Sequence, residues 1–88
     1  MSTVTVEFFG VPRLRAGRSE LSVEAATLGE ALAAVERECI GLRGLRWPDG
    51  SLAPQYLASL NGRCFVRDLA HPLDAGEHVL LLSADVGG

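Results

Sequence analysis

The sequence finishes Asp85-Val86-Gly87-Gly88, and a terminal carboxylate carried on two residues without side chains is the group in this chain best suited to chemistry. Glycine adopts backbone angles closed to other residues, so Gly87 and Gly88 could pass a narrow channel and present the Gly88 carboxylate to a second protein's active site. Ser83 to Gly88, fully extended, reach about 20 Å. An α-carboxyl with a pKa of about 3.3–3.7 is ionised at neutral pH. It acylates nothing until its oxygen becomes a good leaving group, which adenylation by ATP in a partner enzyme would supply. Gly88 is therefore the expected reacting residue, with Gly87, Val86 and Asp85 as its tether.

The remaining reactive side chains do not assemble into a catalytic set. Cys39 falls on an apolar helical stripe and Cys64 follows a turn, so both are expected to pack as small hydrophobes. No Cys-x-x-Cys and no His pair with ligand spacing points to a metal. His71 and His78 flank a Pro-to-Gly turn and are expected to face solvent. Trp47, beside Pro48, reads as a loop anchor over the edge of the core. No nucleophile with a base and no phosphate-cradling glycine loop is legible, so the domain is expected to hold no cofactor tightly and to catalyse nothing alone.

The chain has 88 residues, a length that makes one domain able to bury somewhat over ~60% of its unfolded surface. Apolar residues are 48% and charged residues 22% of the chain, a globular balance that favours independent folding over disorder. The apolar run Val79–Leu82 is far short of the roughly 20 residues of a membrane span. "MSTVTVEFFG" has no basic region ahead of an apolar core, so no secretory leader is expected and the cytoplasm is the default location. Net charge is −3 and all 8 basic residues are arginine, scattered rather than interleaved with aromatics; nucleic acid is an unfavoured partner. With no lysine, the chain could accept another protein's acyl terminus only at its own N-terminal amine.

The elements that must position the tail follow from periodicity. "TVTVEFF", Thr3 to Phe9, alternates Val4, Val6 and Phe8 against Thr5, Glu7 and Phe9, as a half-buried strand does. "GVPRLRAGR" reads as a longish loop through Gly10, Pro12 and Gly17, and "SELSVEA" resumes alternation with Leu21 and Val23 inward. Thr27 and Glu30 fit a capping box. Behind it, Leu28, Leu32, Val35, Cys39 and Leu42 form one helical stripe, with Gly41 placed to end the helix. "LRGLRWPDGSLAPQ" predicts an irregular crossover with room for one short helical turn. Asn61-Gly62 suits a type I′ hairpin turn, and "HPLDAGEHVLLLS" supplies a last turn and strand. The predicted order is β-β-α-β-β-β.

A hairpin, a crossover helix and further strands give a mixed sheet of four to five strands with one main helix on one face, an α+β arrangement of the β-grasp, or ubiquitin-like, type, because a right-handed crossover lays a later strand parallel to the first. One helix covers one sheet face only. If Phe8, Val79 and Leu81 face it, alternation sends Phe9, Leu80 and Leu82 to the open face, where grouped large apolar side chains suggest a partner interface. The expected organisation is a single domain over residues 1–88 with a flexible tail at 83–88.

"VEFFGVPRLRAG", the Asn61-Gly62 turn, "HPLDAGEHVLLL" and Gly87-Gly88 together resemble the MoaD/ThiS group of ubiquitin-like sulfur carriers. That resemblance implies a protein whose terminal glycine, here Gly88, is adenylated by an ATP-using, ubiquitin-activating-type enzyme and converted with a sulfur donor to a thiocarboxylate. It also implies that Phe9 and Leu82 contact the activating enzyme and a molybdopterin synthase large subunit or another sulfur acceptor. This chain has Ser83-Ala84 where the molybdopterin synthase small subunit carries a Pro-Pro pair, and Asp85 where that subunit is apolar. Two other classes stay open: a protein modifier joined to lysines through Gly88, and a non-catalytic subunit held permanently on a larger enzyme.

Overall fold

The computed structural model describes residues 2–84 of the chain. Strand β1 (Thr3–Phe8) alternates as its sequence requires: Val4, Val6 and Phe8 are buried and the residues between them are not. Strand β2 (Glu20–Glu24) pairs antiparallel with it, Val4 opposite Val23 and Val6 opposite Leu21, so the inward residues of both strands share one face.

The segment between them is not a loop. Val11–Ala16 form a short helix, α1, with Pro12 in its first turn and Gly17 in the left-handed conformation at its end, φ 71°. Proline lacks only an N–H that a first helical turn leaves unpaired, and glycine past the last turn closes it without strain. The residues that read as turn formers are the helix's punctuation.

Helix α2 (Leu28–Glu38) starts at Thr27, whose hydroxyl accepts the Glu30 N–H at 3.2 Å, while the Glu30 carboxylate accepts the Ala26 N–H at 2.7 Å. The reciprocal cap is present, with its second arm reaching one residue further back than in the usual capping box. Leu28, Ala31, Leu32, Ala34 and Val35 are buried beneath it. Gly41 does not end the helix. Cys39 does, in an extended conformation with φ −120° and its N–H on the Val35 carbonyl at 2.8 Å. Gly41 serves a different need: a Cβ there would collide with the Arg15 carbonyl oxygen, so glycine lets the chain leaving α2 close against α1.

The crossover contains no helical turn. It doubles back at Trp47–Ser51, where the Trp47 N–H meets the Ser51 carbonyl at 2.9 Å and Gly50 takes φ 86°. Leu42, Leu45 and Leu52 from this stretch are fully buried, which extends the core past the end of α2. Trp47 is 45% exposed, so it covers the core edge only in part.

Strand β3 (Tyr56–Leu60) leads into the Asn61-Gly62 turn, both residues at positive φ (54° and 71°). The Arg63 N–H closes that turn on the Leu60 carbonyl at 3.0 Å, and the ladder resumes with Leu60 opposite Cys64 in strand β4 (Cys64–Phe65). Strand β5 (His78–Ser83) pairs parallel with β1 and antiparallel with β3, giving the order β2-β1-β5-β3-β4. A central strand reached by crossover and parallel to β1, with α2 over one face, is the β-grasp arrangement expected from the order of elements.

Candidate docking face and tail root

Because β5 lies between β1 and β3, its alternation decides what each sheet face carries. Val79 and Leu81 are completely buried in the core that also holds Leu28, Leu32 and Val35 of α2, while Leu80 and Leu82 point to the other face and remain half-buried. The Phe9 N–H donates to the Leu81 carbonyl at 3.0 Å, continuing the parallel ladder one step past β1 and placing Phe9 beside Leu82. Phe9 is 45% exposed. The three residues expected on the open face, Phe9, Leu80 and Leu82, are thus brought together there.

The sheet adds two apolar groups that sequence reasoning did not select. Leu57 is the register partner of Leu82, and Phe65 pairs with Ser59, itself opposite Leu80. The signal was the alternation of "YLASL" with Leu57 out of phase with buried Tyr56 and Ala58; Phe65 needed the hairpin register, which the turn sequence alone did not fix.

At its other end the open face is polar. His78 Nδ1 lies 2.8 Å from Glu7 Oε1, and the Asn61 side chain accepts the His78 N–H at 2.9 Å while donating to Glu77 at 3.0 Å. Glu7, Asn61, Gly62, His78 and Leu80 line an open cleft of about 400 Å³. His78 is exposed as expected, whereas His71 is half-buried. Cys39 is buried as expected; Cys64 is exposed, because β4 is a two-residue edge strand with both side chains in solvent. Among the described residues no three His, Cys, Asp or Glu side chains group so as to hold a metal ion, and no helix is long and apolar enough to cross a membrane.

The expected tail is reached at the far end of β5. The strand includes Ser83, opposite Tyr56, and the Ala84 N–H donates to the Gln55 carbonyl at 2.9 Å. Asp85, Val86, Gly87 and Gly88 lie outside the described residues. A second cleft, of about 260 Å³, opens at this root between Val11, Arg15, Gln55, Tyr56 and Ser83, with Arg15 donating to the Tyr56 hydroxyl at 3.3 Å.

No family model matches the chain, and no curated protein matches it. Solved structures do. SAMP1 from Haloferax volcanii superposes with a TM-score of 0.82 at 24% identity over 99% of this chain and 100% of its own. The Haloferax volcanii HVO 2177 protein reaches 0.80 at 28% identity over 99% of this chain and 87% of its own. A chain of the complex of subunits 1 and 2 of the molybdopterin-converting factor from Helicobacter pylori gives 0.64 at 28% identity over 98% and 99%. The fold they share with this chain is the ubiquitin-like β-grasp.

Proposed function

We propose that this chain, a ubiquitin-like protein of the MoaD/ThiS type, is a sulfur carrier that acts as the substrate of partner enzymes. The Gly88 carboxylate attacks the α-phosphate of ATP in an activating enzyme, releasing pyrophosphate and leaving an acyl-adenylate. A sulfide-equivalent nucleophile then displaces AMP, and the chain departs with a terminal thiocarboxylate. The acceptor of that sulfur is an enzyme of cofactor or amino-acid biosynthesis, and a molybdopterin synthase-type large subunit is one such acceptor.

The observation that carries the reading is the convergence of the open-face apolar group, exposed Phe9 with half-buried Leu57 and Leu82, and the strand that leads to Gly88. Four residues follow Ala84, and extended they span at most about 14 Å. A partner can reach Gly88 only by seating closely around the end of β5, and an apolar face beside that end provides the seat. Likeness to a subunit solved in complex with its second subunit supports the same reading.

The test is the intact mass of the chain after incubation with its activating enzyme, ATP and a sulfur donor. Carriage predicts a gain equal to sulfur minus oxygen, abolished by deleting Gly87 and Gly88; an unchanged mass in the presence of active enzyme rejects it. Likeness to small archaeal modifier protein 1 favours a second reading, conjugation through Gly88 to lysines of other proteins. That reading predicts covalent adducts of higher mass, resistant to thiols, in place of the thiocarboxylate.

A further inference from the structure

Arg13, Arg15 and Arg18 are the three charged residues between Glu7 and Glu20, so a chain of net charge −3 places an unbroken basic stretch on α1 and its exit. Among the described residues the ion pairs are Arg46 with Glu36 and His78 with Glu7; none of these three arginines has a carboxylate partner. In their midst Leu14 is 82% exposed, an aliphatic side chain held in water on a helix whose neighbour Pro12 is buried. Gly41, seated against the Arg15 carbonyl, brings its chain neighbour Ile40, 74% exposed, to the same region.

This patch is continuous with the tail root. Helix α1 packs on β5 and β1, and the cleft that contains Ser83 is walled by Val11 and Arg15. Whatever seats against Ser83 at the end of β5 therefore lies beside α1.

We propose that α1 is a second contact surface for the enzyme that receives the tail: Leu14 enters an apolar socket on that enzyme, and Arg13 and Arg18 meet carboxylates around its rim. The inference rests on the reading that a partner enzyme activates Gly88. Charge complementarity specifies an acidic partner, since exposed arginines with no carboxylate partner among the described residues steer association and set orientation. The chemistry favours protein over the other polyanions. Val11, Leu14 and Ile40 offer no ring on which a base could stack, and a six-residue helix with two exposed aliphatic residues is too small an apolar face to lie stably in a lipid interface.

The experiment is ATP–pyrophosphate exchange by the activating enzyme at low and high salt. It compares the wild-type chain with R13E/R18E, R13K/R18K and L14D, each checked for an unchanged unfolding midpoint. R13E/R18E is expected to raise KM roughly tenfold with kcat unchanged and to flatten the salt dependence, because rim charges act mainly on encounter. R13K/R18K should stay near wild type, and L14D should raise KM at both salt concentrations. Wild-type KM in both R13E/R18E and L14D overturns the inference, as does an effect of R13E/R18E confined to binding of phosphatidylserine vesicles or single-stranded RNA. If the wild-type chain itself supports no exchange, the carrier reading falls and this inference with it; exchange indifferent to the α1 variants removes the inference alone.

Discussion

Single residues in this chain do local work that their types announce only once their neighbours are known. Asp49 is an example. Its carboxylate accepts the Ser51 hydroxyl at 2.6 Å and the Ser51 N–H at 3.0 Å, and these bonds, the hydroxyl first, hold its pKa below the ordinary 3.8. A hydrogen bond to the charged form favours that form. Because the folded value is the lower one, the linked stability is fully present above the ordinary value and is lost as pH falls through the folded one. Ser51→Ala removes the leading cause, so the Asp49 carboxyl should titrate closer to 3.8 in an NMR pH titration. Gly41 makes the same point about legibility. Its sequence position suggested a helix stop, yet the reason for glycine is the Arg15 carbonyl 26 positions earlier, a contact that no local pattern encodes.

At the scale of elements, the crossover depends on one carboxylate. Glu36, on α2, accepts the Leu45 N–H at 2.9 Å and the Arg46 Nε–H at 2.7 Å, and its side chain is only 17% exposed. Leu45 is wholly buried, so deleting the acceptor strands a buried donor. Glu36→Ala is expected to cost about 2 kcal/mol. Arg46→Ala, which removes the half-exposed partner, should cost under about 1 kcal/mol. Urea unfolding of the two variants checks the order, and equal losses would contradict this account. The same scale separates what the sequence encoded from what it did not. Strands β1, β2 and β5 and helix α2 were legible because each writes its own period, 2.0 or 3.6, into consecutive residues. Helix α1 was hidden because six residues are too few to show a period and its Pro12 and Gly17 carry the same letters in a turn. The open face was half legible: Phe9, Leu80 and Leu82 follow from alternation, but Leu57 and Phe65 join them only through cross-strand register, and Cys64 is exposed only because β4 ends the sheet.

For the whole molecule, the last residue of β1, Phe8, and the residue that follows it, Phe9, divide the labour between folding and docking. Phe8 is 2% exposed and lies in the hydrophobic core, whereas Phe9, the next residue, is 45% exposed on the opposite face beside Leu82. A domain of this kind is stable by only about 5–15 kcal/mol, and truncating a buried phenylalanine costs about 3–5 kcal/mol. Phe8→Ala should therefore lower the unfolding midpoint sharply. Its effect on activation of Gly88 should track the fraction unfolded and vanish at temperatures where the variant is folded. Phe9→Ala removes a side chain already half in water, so its stability cost should be near 1 kcal/mol. If the open face seats the activating enzyme, Phe9→Ala should raise KM roughly tenfold at every temperature, since an aromatic anchor in a docking surface carries a disproportionate share of affinity. Measured side by side, thermal unfolding and exchange kinetics should thus give opposite rankings of two adjacent residues. A Phe9 variant with unaltered KM would move the contact off the sheet and leave α1 as the surface through which the tail is delivered.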